Sequence, residues 1–170
     1  DNVVLTTQGS APLVVTGALG PDALERYATF AASAGDQLAV SLTVPGDGAR
    51  LVAETAAALG GLDIVVVNTG GGKPGPIMAT DGFDDAAYQS MLRPVREVSR
   101  AAAPLVTAGG HGRLVYLTAR SVVEASPDLA LSSVFRSGVA AAARSLAIEL
   151  APNATCNVVV TGQFDTPALG

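Results

Sequence analysis

Short runs of β-branched and aliphatic residues recur along this chain: "VVLTT" (3–7), "PLVVT" (12–16), "QLAVSL" (37–42), "DIVVVN" (63–68), "RLVYLT" (113–118) and "CNVVVT" (156–161). Each is apolar on both faces, which predicts strands covered by helices above and below. Helical patterns fill most of the gaps. "PDALERYATFAASAG" (21–35) opens on Pro and acidic residues and stops at a Gly, and "DGARLVAETAAALGG" (47–61) does likewise. "DDAAYQSMLRPVREVSRAAAPLVTAGG" (84–110) predicts one long helix kinked at Pro94, and "ALSSVFRSGVAAAARSLAIEL" (130–150) predicts another. Strands alternating with helices imply an α/β fold, a Rossmann-like doubly wound parallel sheet in three α/β/α layers.

One junction departs from that pattern. Only "QGSAP" separates the first two strand runs, whereas parallel neighbours need a crossover of about a dozen residues. Either the two runs form a hairpin, or a helix-bearing segment is absent between Ser10 and Ala11. The chain opens on Asp1 rather than Met and stops at Gly170, which raises the same question beyond Gly170. Residues 1–170 read as a single domain, without a repeat or a linker.

Composition narrows the function classes. The 170 residues are 49% hydrophobic with only three Tyr, four Phe and no Trp, so the core must be built from Ala, Val and Leu. The net charge of -5 is spread without a basic cluster, which argues against nucleic acid, whose phosphates need concentrated Lys and Arg. No apolar run approaches the roughly 20 residues that cross a bilayer, and no signal peptide is recognisable, so no membrane partner is expected. The single cysteine, Cys156, excludes an internal disulfide and fits a reducing cytoplasm. No metal site is expected.

In open parallel sheets, ligands bind beyond the carboxyl ends of the strands. There, "NTGGGKPG" (68–75) is the most telling stretch. Its glycines let a backbone pass close to a flat ligand, and Asn68 both donates and accepts hydrogen bonds. A flexible loop is the alternative reading. "QGS" after the first strand is too short for a dinucleotide fingerprint. Tyr116 lies inside its strand and reads as core, Cys156 as a small core residue, and His111 as a surface residue at the opposite end of the sheet. Lys73, the only lysine, sits at the ligand edge among glycines that suggest mobility.

Three stretches carry a resemblance to the short-chain dehydrogenase/reductase family that covers nearly the whole chain. "LDIVVVNTGG" is similar to the family's "NNAG" strand and turn, and "GRLVYLTARS" to its catalytic-serine strand. "RSLAIELAPNATCNVVVTGQFDTP" resembles the run ending in its "PGxxxT" motif. The resemblance implies a dinucleotide-binding domain that uses NAD or NADP to move hydride to or from a carbonyl or alcohol. It implies Asn68 and Gly70 along the cofactor ribose, and Gly162 and Thr166 near the nicotinamide. Of the glycine-rich motif it retains Thr7 and Gly9, with Gln8 in place of a glycine and the phosphate-binding helix missing. All four of the family's catalytic positions are changed: asparagine falls on Met91, serine on Ala119, tyrosine on Ser132 and lysine on Arg136. "LALSSVFR" also resembles a divergent branch with serine for the tyrosine and arginine for the lysine.

Ser132 and Arg136 share one helical face, one turn apart. A serine hydroxyl is a far poorer acid than a phenol. Arg136 stays protonated and cannot relay a proton, but its planar fork can hold a ribose, a phosphate or an anionic substrate. Alternatively, Ser132 caps its helix and Arg136 pairs with a carboxylate. Three functions follow in order of weight: an NAD(P)-dependent oxidoreductase acting on a small-molecule carbonyl or alcohol; a non-catalytic relative serving as a binding or scaffold protein; and a halohydrin dehalogenase. The end of strand two, "TGALG", has neither the acid nor the arginine that would separate NAD from NADP. A homodimer or homotetramer is expected, since the Ala- and Gly-rich helices at 84–108 and 131–151 match those through which the family's subunits associate.

Overall fold

Val95, Val98, Ala102 and Val106 recur at helical spacing and are all buried, forming the stripe by which one helix grips the sheet. The computed structural model describes residues 2–5, 13–16, 38–39, 48–80 and 82–162. Within them the chain order is β1 (Asn2–Leu5), β2 (Leu13–Thr16), β3 (Leu38–Ala39), α1 (Gly48–Leu59) and β4 (Ile64–Val67). There follow α2 (Asp84–Ala87), α3 (Arg93–Ala108), β5 (Gly112–Ala119), α4 (Ala130–Leu150) and β6 (Ala154–Thr161). β3, β4, β5 and β6 form a parallel sheet in that order, with Val65 opposite Leu114 and Tyr116 opposite Val158. The fold is Rossmann-like α/β.

Of the two readings of the first junction, the structure adopts the hairpin. β1 and β2 pair antiparallel, from Asn2 opposite Thr16 to Leu5 opposite Leu13, as a two-stranded sheet separate from the parallel one. Seven residues lie between Leu5 and Leu13, too few for a parallel crossover, so antiparallel pairing is the one available.

The three longer described helices share one face of the sheet. Val52 of α1, Val95 and Val98 of α3 and Val139 and Ala143 of α4 pack in one cluster with Val65, Val67, Leu114 and Tyr116. β5 therefore alternates, with Gly112, Leu114, Tyr116 and Thr118 buried and their neighbours less so. The segment 21–35, expected as a further helix, lies outside the described residues. Gly112 is obligatory at the start of β5, because any side chain there would collide with the Val106 carbonyl.

The single kinked helix expected over 84–110 is instead three consecutive pieces. α2 gives way to a π-helical turn over Tyr88–Leu92, and α3 follows with Pro94 in its first turn. A proline ring excludes the carbonyl four residues back, so the chain widens ahead of Pro94, and Arg93 N–H bonds to the Tyr88 carbonyl five residues away. Pro94 lacks only an N–H that a first turn leaves unpaired anyway.

Candidate active site

The glycine-rich stretch after β4 is held from several sides. Arg136 Nη2 on α4 donates to the Gly70 carbonyl at 3.3 Å, and Ser90 Oγ donates to that of Gly71 at 3.4 Å. Gly75 N–H donates to the Asp128 carbonyl at 2.7 Å, and Ala130 N–H returns a bond to the Gly75 carbonyl at 3.3 Å. Lys73 Nζ rests 3.7 Å from the centroid of the Phe83 ring, a cation–π contact. At Gly72 a Cβ would stand 3.1 Å from Leu131 Cβ, so the loop presses directly on the start of α4. Asn68 is half-buried at the strand end, while Thr69 and Gly70 are buried.

α4 delivers the two side chains predicted from its pattern. Ser132 Oγ lies 3.0 Å from Ser121 Oγ, and Arg136, one turn on, reaches Gly70. Ser132 does not cap the helix, since the cap residue is Leu129 and no side chain bonds there.

The Ser132 partner, Ser121, has no forerunner in the sequence reading, which matched the family's serine to Ala119. β5 ends at Ala119 and the chain continues as a 3-10 turn over Arg120–Val122, which carries buried Ser121 against α4. A signal was available: Thr118 and Ser121 are the only hydroxyls in "TARSV", and in-strand alternation turns Thr118 inward. Thr118 Oγ1 indeed donates to the Val159 carbonyl at 3.1 Å, and Thr161 Oγ1 to that of Thr118 at 2.7 Å, lacing the ends of β5 and β6.

A small cleft at these strand ends is lined by Ala119, Ser121, Ser126, Leu129 and Gly162. Arg120 and Glu124, both exposed, pair at its edge at 3.5 Å. The site thus runs from Gly70 through Arg136 and Ser132 to Ser121 and Gly162, across the carboxyl ends of β4, β5 and β6. Thr7, Gly9 and Thr166 lie outside the described residues. Met91, where the family's asparagine would fall, is fully buried in the π-helical turn and packs with Ala87 and Leu131. It supports the glycine loop from below, its sulfur 3.4 Å from the position of a Gly72 Cβ.

Tyr116 and Cys156 lie in or against the core and His111 at the surface. Tyr116 is fully buried, its hydroxyl 2.7 Å from Ser99 Oγ, and burial pushes its pKa up to about 12 despite that bond. Burial, with Glu149 nearby, also raises the Cys156 thiol, which packs against the main core. Exposed His111 sits before β5, its Nε2 3.3 Å from Asp63 Oδ1, at the edge of the sheet opposite the site. Among the described residues no group of three His, Cys, Asp or Glu is placed to hold a metal, and no helix is long and apolar enough to cross a membrane.

Comparison with known proteins agrees with this fold. A family described as enoyl-(acyl carrier protein) reductase matches residues 5–170. A protein described as an uncharacterized oxidoreductase of Mycobacterium tuberculosis is 27% identical over 150 residues, which are 87% of this chain and 57% of that protein. A dehydrogenase/reductase from Sinorhizobium meliloti 1021 has TM-score 0.66 and 25% identity, over 82% of this chain and 53% of its own. The gluconate 5-dehydrogenase of Burkholderia cenocepacia J2315, in complex with NADP and tartrate, has TM-score 0.67 and 24% identity, over 73% and 49%. The ligand-free aldohexose dehydrogenase of Thermoplasma acidophilum has TM-score 0.68 and 20% identity, over 74% and 49%. The chain spans between 49% and 57% of the length of these relatives.

Proposed function

This chain belongs to the short-chain dehydrogenase/reductase family, and from that premise we propose that it is an oxidoreductase, moving hydride between NAD or NADP and a small carbonyl or alcohol. One observation carries the proposal: Gly70, Arg136, Ser132, Ser121 and Gly162 form a continuous line across three parallel strand ends, the edge where such sheets bind ligands.

The residues at that edge fit a nicotinamide cofactor. A Cβ at Gly71 or Gly162 would meet no atom within 4 Å, so the backbone offers open ledges to a flat ring or ribose. Asn68 and Gly70 would hold the ribose, and Gly162 with Thr166 the nicotinamide end; Thr7 and Gly9 would serve the phosphates. When bound, the cofactor supplies or accepts the hydride.

Substrate reduction places negative charge on the carbonyl oxygen. Ser132 Oγ–H donates a hydrogen bond to that oxygen, and Arg136 contributes fixed positive charge while keeping the Gly70 backbone in place. Neither group releases a proton near neutral pH, so the proton that completes the alcohol comes from water. The site accordingly favours holding an oxyanion over general acid catalysis. We assign the altered pair to a divergent branch of the family that retains a working pocket. Association as a homodimer or homotetramer through α3 and α4 is part of the same proposal.

The test is a carbonyl and alcohol panel followed by nicotinamide absorbance. Turnover that falls on Ser132→Ala and on Arg136→Ala is the expected result. Saturable cofactor binding with no turnover across the panel would favour the non-catalytic binding or scaffold protein.

A further inference from the structure

We propose that Ser121 is a positioning residue of this site, its buried hydroxyl orienting the Ser132 hydroxyl toward the substrate oxygen. The proposal rests on the oxidoreductase reading and takes as its substrate class the same carbonyls and alcohols.

The geometry points to Ser121 by elimination at the end of β5. Ala119 has no hydroxyl, and that of Thr118 is committed to the Val159 carbonyl. Ser121, 8% exposed, is the hydroxyl that meets α4, at 3.0 Å from Ser132 Oγ, while Ser132 itself is half-buried. Ser121 also lines the cleft that ends at Gly162.

A hydroxyl has one proton to give and two lone pairs with which to accept. When Ser121 donates to Ser132 Oγ, the Ser132 proton is left for the cleft, and a hydroxyl that accepts also donates more strongly. Alone, the Ser132 proton would rotate among its staggered positions. Paired, it has a direction. The 3-10 turn after β5 thus brings to Ser132 a hydroxyl that Ala119 cannot supply.

A thiol reporter tests this without cofactor or turnover. In the full chain carrying Ser132→Cys, iodoacetamide alkylation at position 132 is followed against pH, with mass spectrometry separating it from Cys156. A donor on a thiolate lowers its pKa. Adding Ser121→Val should raise the apparent pKa by about half a unit to one unit, and Ser121→Thr, isosteric with Val but keeping the hydroxyl, should leave it unchanged, as suits one hydrogen bond. If Val disrupts the turn, Ser121→Ala supplies the same comparison. Equal values in every background would overturn the proposal. That failure would leave the oxidoreductase reading standing, because nicotinamide binding by the unsubstituted chain decides it separately.

Discussion

Arg136 and Gly70, 66 residues apart in sequence, meet at 3.3 Å through a guanidinium nitrogen and a backbone carbonyl. The contact ties α4 to the loop after β4, so one side chain sets the position of the backbone that would face a cofactor. A lysine can offer charge at this place but not a planar fork able to hold a carbonyl and a second group at once.

Replacing Arg136 should loosen the loop before it affects the fold. Arg136→Ala removes a half-buried charged hydrogen bond worth about 1 kcal/mol after allowance for solvent. Amide exchange over residues 69–72 should quicken roughly fivefold, with the α3 and β5 amides unchanged. Arg136→Lys should fall between. Exchange measured by mass spectrometry checks this, and uniform protection across the three proteins would contradict it.

Gly72→Ala should destabilise the protein by about 1–3 kcal/mol, the usual cost of overpacking. The added methyl would face Leu131 Cβ at 3.1 Å and Met91 Sδ at 3.4 Å. The flexible thioether of Met91 can retreat, but Leu131 Cβ moves only with the α4 backbone. Urea unfolding gives the number, and a midpoint equal to that of the unsubstituted chain would mean the loop has more room than this.

Tyr116 makes stability sensitive to alkali. Its folded pKa of about 12 exceeds the ordinary 10, so the folded state keeps a proton that the unfolded chain loses first. The contribution is complete below pH 10 and is lost as pH rises toward 12, by about 2–3 kcal/mol in total. Tyr116→Phe should be less stable at pH 8, where the Ser99 hydroxyl loses its buried partner, yet lose less on going to pH 11. Thermal melts of both proteins at the two pH values would reveal this crossing of slopes; parallel slopes would place the phenol elsewhere.

The fold and the site were legible to different degrees. The runs at 63–68, 113–118 and 156–161 matched strands to within two residues at each end, because unbroken β-branched runs favour the extended chain, even in β6, where Val159 and Val160 are exposed. Ser132 and Arg136 were legible as a pair from their helical spacing. Ser121 was not, since its role depends on the short turn that follows Ala119 rather than on any spacing within a strand or helix. The π-helical turn escaped for a similar reason: Pro94 announced a disturbance, but not that the chain would widen ahead of it, where Met91 packs with Ala87 and Leu131. The loop at 68–75 looked flexible from its glycines alone, and only the contacts from Arg136, Ser90 and Lys73 show how it is held.

The most direct test of the central claim is a calorimetric titration of the full chain with NADH and with NADPH. Saturable binding to at least one, weakened about fivefold by Arg136→Ala as suits one lost hydrogen bond, is the predicted result. A folded chain that takes up neither would contradict the account and leave the strand-end site in need of a different ligand.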